Sequence, residues 1–180
     1  RSKAGSRALA ELDRLTAQWN ISFVSVVDNI LDMTYFDNLL PELANRHKKP
    51  QLFFEVKANL KRHHIRTLAA SGVKSVQPGI ESLSDHVLKL MRKGTTGLRN
   101  VQMLKWCREF GIKPEWNVLH GFPGETAQDY AAFLAIMEAI THLDPPSGCG
   151  PARLDRFSPY FETPGSFGLR NLRPIAPFRT

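Results

Sequence analysis

The side chains able to do chemistry lie between apolar runs rather than inside them. "HGFPGE", His120 to Glu125, puts two glycines, a proline and a carboxylate between an apolar run and an amphipathic segment. Gly121 and Gly124 either supply the dihedrals of a tight strand-to-helix turn or let the main chain approach a ligand closely. In "PGIES", Pro78 to Ser82, Glu81 precedes a helix, where the dipole favours a carboxylate and where it can also reach a ligand. Asn117 alternates with the apolar Trp116 and Val118, so its amide points away from them, toward a ligand or into a hydrogen-bonded polar layer. Asp28, Glu55 and Lys57 lie on or end apolar runs and can frame a substrate or cofactor. Lys57 is also placed to act as a Schiff-base amine on a carbonyl substrate, the main rival chemistry. Arg92 and Lys93 are either counter-charges for an anionic ligand or exposed cations at a helix end.

Metal and nucleophile chemistry find little support. Cys107 shares a helical face with Met103 and Phe110 and reads as an inert buried thiol, while Cys149, in "PPSGCGP", reads as exposed. His63 and His64 are neighbours, whereas joint ligation from a helix wants spacings of three or four. No metal ligand and no catalytic residue can be assigned.

Apolar periodicity switches repeatedly between about two and about 3.6, the signature of alternating strands and helices. Helices are expected over 6–18, 35–46 and 62–70, over 84–110 with a break at Gly94, and after Thr126, which Asp129 follows in a capping pattern. Strands are expected at Ile21–Val27, Gln51–Val56, Val73–Gln77, Pro114–Leu119 and Ala152–Phe157. This regular alternation predicts an α/β fold with a parallel sheet, either doubly wound or curled into a barrel. Ligands then sit beyond the carboxyl ends of the strands, where the polar residues named above fall. No Gly-x-Gly-x-x-Gly follows the first strand and no Gly-x-x-x-x-Gly-Lys occurs, which weighs against nicotinamide and P-loop chemistry.

Composition narrows the partners. The net charge of +7 comes from scattered basic residues without interleaved aromatics, which argues against nucleic acid. No apolar run approaches the roughly 20 residues of a membrane span. Two cysteines build no disulfide framework, and a reducing cytoplasm is the default expectation. The oligomeric state is not readable.

The stretch "SVQPGIESLSDHVLKLMRKGTTGLRNVQMLKWCREFGIKPEWNVLHGFPGET" resembles the radical S-adenosylmethionine superfamily, and within it the cobalamin-binding group. "RSKAGSRALAEL", "VVDNILDMTYFDNLLPEL" and "RLDRFSPYFETPGSFGLRNLRPI" are similar to members that mature ribosomally made peptides, so the resemblance covers nearly the whole chain. It implies a partial (β/α) TIM-like barrel over residues 1–157 with about five parallel strands, the first strand missing, followed by an irregular Pro-rich segment over 158–180. It implies S-adenosylmethionine held by Glu81, Ser82, Asn117, Gly121, Phe122, Pro123, Gly124 and Glu125, with Gly121–Gly124 cradling adenine. The family also carries an iron–sulfur cluster on a Cys-x-x-x-Cys-x-x-Cys loop, and cobalamin in this group. No such triplet occurs here, and "RSK" resembles sequence that follows the loop. The chain therefore reads as a part of a longer protein, expected to be inactive alone. The implied activity is C-methylation or a related modification of a peptide precursor; a tetrapyrrole or another small metabolite stays open as substrate.

Overall fold

The computed structural model describes residues 2–27 and 30–173. Asp28 and residues 174–180 lie outside the described residues. Helix α1 (Gly5–Trp19) ends at Asn20, whose left-handed φ of 47° stops it, and its Ala8, Leu9 and Leu12 pack toward the core. Strand β1 (Phe23–Ser25) follows. The single helix expected over 35–46 is two short ones, α2 (Tyr35–Asn38) and α3 (Leu40–Ala44). Pro41 explains the break, because it has no N–H to continue the ladder and is tolerated only in a first turn.

Strand β2 (Gln51–Glu55), helix α4 (Arg62–Ala70) and strand β3 (Val73–Gln77) fall where periodicity puts them. Gly72 has φ +94°, and a Cβ there would stand 2.7 Å from the Pro50 carbonyl, so this turn requires glycine. Helices α5 (Asp85–Leu90) and α6 (Gly97–Phe110) are separated by a turn in which both Arg92 and Gly94 have positive φ. The strand expected at Pro114–Leu119 is divided into β4 (Lys113–Pro114) and β5 (Asn117–His120). Between them the indole of the buried Trp116 donates to the Asp144 carbonyl at 3.0 Å. Helix α7 (Ala127–Ala139) begins with the expected reciprocal cap between Thr126 and Asp129.

The last strand corrects the sequence reading. Strand β6 is Gly148–Pro151, and Ala152–Phe157 is not a strand. Glycine has low strand propensity, but Asn117 and Leu119 of β5 pair with Gly148 and Gly150, and this cross-strand register overrides propensity. Beyond it come a single turn, α8 (Pro159–Glu162), and a 3-10 turn at Pro164–Phe167, with no long terminal helix among the described residues.

All pairings are parallel, in the order β1-β2-β3-β4 and, separately, β5-β6. Hydrogen bonds from Asn117 N to Ile80 O (3.3 Å) and from Leu119 N to Glu81 O (2.9 Å) tie β5 to the chain leaving β3. The strands thus form one open arc. Leu52, Phe54 and Val56 turn to the helical side and are buried with Leu40, Leu43, Ile65, Leu68, Met103 and Leu104, each burial contributing roughly 1.5–3 kcal/mol. Glu55 and Gln77, paired across β2 and β3, face the other way.

Candidate functional site

The strand ends collect the polar residues. Glu55 closes β2 and Lys57 follows it; Gln77 closes β3, and Pro78, Gly79 and Glu81 continue from it. With Lys93, Gly94 and Thr95 they line a cavity of about 460 Å³. Inside it the Lys93 ammonium meets the Glu81 carboxylate at 2.6 Å, both side chains about three-quarters covered. Glu81 also borders a second cavity of about 500 Å³, where it is joined by Asn117, Gly148, Gly150, Arg153 and Tyr160. Its carboxylate therefore stands between two spaces. Asn117 is exposed while Trp116 and Val118 are buried, so the alternation read from the sequence is realised.

Other residues named from sequence are placed differently. Ser82 is buried: its hydroxyl accepts from Ser84 N at 3.1 Å, and its carbonyl accepts from the fully buried Asn100 amide at 2.9 Å. Arg92 points away from both cavities; its guanidinium bonds the Ser166 carbonyl and stacks over Phe167. The His63 and His64 rings meet edge to face with centroids 4.0 Å apart, and His64 Nδ1 accepts from Lys61 N. That helix-capping bond occupies the nitrogen.

The Gly121–Glu125 loop is held by its own carboxylate. Glu125 Oε2 accepts from Gly121 N at 2.8 Å and from the Tyr130 hydroxyl. Burial, then this bond, pushes the Tyr130 phenol up to about 12. Glu125 Oε1 is buried and has no partner among the described residues. Gly121 and Gly124 have φ of +93° and +99°. A Cβ at Gly121 would meet nothing within 4 Å, so its main chain is bare toward open space, whereas one at Gly124 would stand 3.2 Å from Leu90. Pro123 is exposed, but Phe122 is buried against Val87, Met91 and Tyr160, so its ring packs within the protein.

One carboxylate holds the motif segments together. Asp129, foreseen only as a cap, accepts from the Ser84 hydroxyl at 2.8 Å, pairs with His86 Nδ1 at 3.0 Å and accepts from Thr126 N at 3.0 Å. It ties the start of α5, below "GIES", to the start of α7, below "GFPGE". The His86 bond first, then those from Thr126 and Ser84, hold its carboxyl well below the usual range. A depressed carboxylate stabilises fully above its unfolded value, near pH 4, and that contribution fades as pH falls further.

The cysteines behave as a structural and a free thiol. Burial, with a smaller push from Asp144, raises Cys107 to about 12, while Cys149 is exposed on β6. Ellman's reagent should therefore titrate one thiol in the native chain and two after denaturation. A raised thiol stabilises the fold below its unfolded value, about 9, and loses that contribution as pH rises toward 12, so urea midpoints should fall across that window. The first expectation fails if both thiols react at one rate under native conditions.

Glu81 and Lys93 present an acceptor and a cation in the first cavity, a pair suited to the amino and carboxylate end of an amino-acid cofactor, while Gly121 presents main chain without side-chain cover; none of residues 121–125 lines either cavity. An iron–sulfur cluster does not fit: two cysteines, one of them buried, cannot supply three thiolates, and no group of three His, Cys, Asp or Glu suited to a metal occurs among the described residues.

A model of the radical SAM superfamily matches residues 6–136. The chain belongs to that superfamily of enzymes. Among solved structures, it superposes on TsrM of Kitasatospora setae, a radical S-adenosylmethionine methyltransferase with cobalamin and a 4Fe–4S cluster bound, at TM-score 0.68 and 23% identity over 84% of this chain and 31% of that one. It also superposes on OxsB, a cobalamin-dependent S-adenosylmethionine radical enzyme, at TM-score 0.64 and 18% identity over 93% of this chain and 26% of the other. The shared architecture is the partial radical SAM barrel. A putative methylthiotransferase of Methanocaldococcus jannaschii is 40% identical over 52 residues, 29% of this chain and 12% of the relative. The chain thus spans about a third or less of these proteins' lengths. No described helix is long and apolar enough to cross a membrane.

Proposed function

We propose that this chain forms the cofactor-binding part of the catalytic domain of a cobalamin-dependent radical SAM enzyme that methylates or similarly modifies carbon in a peptide precursor. One observation carries the reading: Glu81 stands between two cavities at the carboxyl rim, paired with Lys93 on one side and facing Asn117 on the other. When bound, S-adenosylmethionine would supply the radical chemistry once the family's iron–sulfur cluster donates an electron, and would supply the methyl group with cobalamin. The chain's own residues then have separate tasks. Glu81 accepts hydrogen bonds from ribose hydroxyls or the methionine ammonium, and Lys93 neutralises the methionine carboxylate. Gly121 and Gly124 offer main chain to adenine, and Glu125 fixes their loop. Glu55, Lys57 and Asn117 frame the space left for substrate. The peptide is supported by the likeness of "RLDRFSPYFETPGSFGL" to the peptide-maturation members.

The test is Glu81→Gln in the protein that includes the three-cysteine loop. Charge-assisted hydrogen bonds of about 1.5–3 kcal/mol predict a loss of S-adenosylmethionine affinity of roughly ten- to a hundredfold by equilibrium dialysis, with unchanged circular dichroism. Unchanged affinity would remove the reading. Borohydride trapping of a carbonyl substrate on Lys57 would replace it with the lyase chemistry.

A further inference from the structure

The segment after β6 does more than trail off the barrel. Tyr160 of α8 places its ring 5.2 Å from Phe122 and 4.8 Å from Phe167, edge to face with both, within the range where aromatic pairs attract. Its hydroxyl donates to the Met91 carbonyl at 2.9 Å, and Met91 with Val87 forms the buried patch that receives Phe122. The same segment is fastened from the α5 side: the Arg92 guanidinium lies 4.2 Å over the Phe167 ring and donates to the Ser166 carbonyl. Arg92 adopts a left-handed φ of 54° there, a conformation that costs a non-glycine residue on the order of 1 kcal/mol and persists where its surroundings impose it. At the far end, a Cβ on Gly168 would stand 3.4 Å from Pro123, so the strap ends beside the loop's proline.

We infer that residues 158–168 form a strap that sets the Gly121–Gly124 loop from behind, with Tyr160 as the positioning residue. Phe122 is the handle. It is the loop's buried member, and its pocket is completed by Tyr160, so the strap determines which side of the loop faces outward. Gly121, Pro123 and Gly124 stay exposed because Phe122 is drawn inward. Tyr160 also lines the cavity that Glu81 and Asn117 share, which connects the loop's rear support to the space reserved for substrate. What the loop would hold rests on the cofactor reading above; the strap's control of the loop does not.

Hydrogen–deuterium exchange on the whole chain tests this without any ligand. Tyr160→Ala should speed exchange in a peptide covering 120–126 by about tenfold, as expected when a local packing contact is lost, with exchange in α4 and β3 unchanged. Tyr160→Phe keeps the ring and loses only the bond to Met91, and should return the 120–126 rate to within about threefold of the parent. Leu98→Ala, at a largely exposed site on α6, serves as the control and should leave 120–126 unaltered. If Tyr160→Ala unfolds the chain, Phe167→Ala, which removes the outer ring alone, should still raise exchange at 120–126 measurably. The inference is overturned if the foldable variants loosen 158–168 while 120–126 exchanges at the parental rate, or if Tyr160→Phe is as damaging as Tyr160→Ala. A failed Glu81→Gln test would leave these exchange results standing, so the two readings fail separately.

Discussion

Gly97→Ala is expected to destabilise the chain by about 3 kcal/mol or more, enough to unfold a marginal domain. A Cβ at Gly97 would stand 2.0 Å from the Leu83 carbonyl oxygen and 2.9 Å from its carbon, both main chain. Neither can rotate away as a side chain would. The Gly97 N–H also donates to Asp85 Oδ1 at 2.6 Å, so the helix start is fixed from two directions. Relief requires α6 to retreat from the segment running on from Glu81, which would also strain the bond from the Asn100 amide to the Ser82 carbonyl. Gly94→Ala is the internal control: φ is +65° but a Cβ meets nothing within 4 Å, so only the dihedral cost of roughly 1 kcal/mol remains. Urea midpoints for the two variants should separate clearly. Equal midpoints would mean that α6 docks less tightly on the motif segment than its main-chain contact implies.

Local signals sufficed for β2, α4 and β3, where apolar alternation, a helical period and the Gly72 turn agree. They sufficed for Asn117, because a period of two specifies which way a side chain points. They failed where a non-local partner decides the outcome. β6 is a strand because β5 pairs with it, and a Gly-Cys-Gly stretch announces nothing. Phe122 turns inward because Tyr160, far along the chain, completes its pocket, so "GFPGE" alone could not say which of its residues stay free. Arg92 and Lys93 are adjacent, and the sequence alone gives them the same expectation. The positive φ at Arg92 sends one to the strap and the other to Glu81, a backbone choice that no property of arginine predicts. Asp129 was legible as a cap from its spacing to Thr126, yet its tie to His86 and Ser84 depends on two helix starts meeting in space.

Iron and sulfide supplied under anaerobic conditions should leave this chain without a bound cluster. A 4Fe–4S cluster needs three thiolates on one short loop and would bring about four iron atoms per chain. Here Cys107 lies in the packed face of α6, with its thiol pushed up to about 12 by burial, and exposing it would break the core it shares with Met103 and Leu104. Cys149 is accessible but isolated on β6, between two glycines that carry no ligand atom. His86 and Asp129, which could otherwise contribute, are bonded to each other. After desalting, metal analysis should therefore find well under one iron per chain, and the visible band of thiolate-to-iron charge transfer should be absent. The same treatment of a protein extended to include a Cys-x-x-x-Cys-x-x-Cys loop should retain about four. Removing that cluster with a chelator should then weaken S-adenosylmethionine binding at least tenfold, because the methionine end loses its chelating metal and only the contacts proposed for Glu81, Lys93 and the Gly121–Gly124 loop remain. Stoichiometric iron on the present chain would show that Cys107 leaves the core, and would overturn its reading as an inert buried thiol.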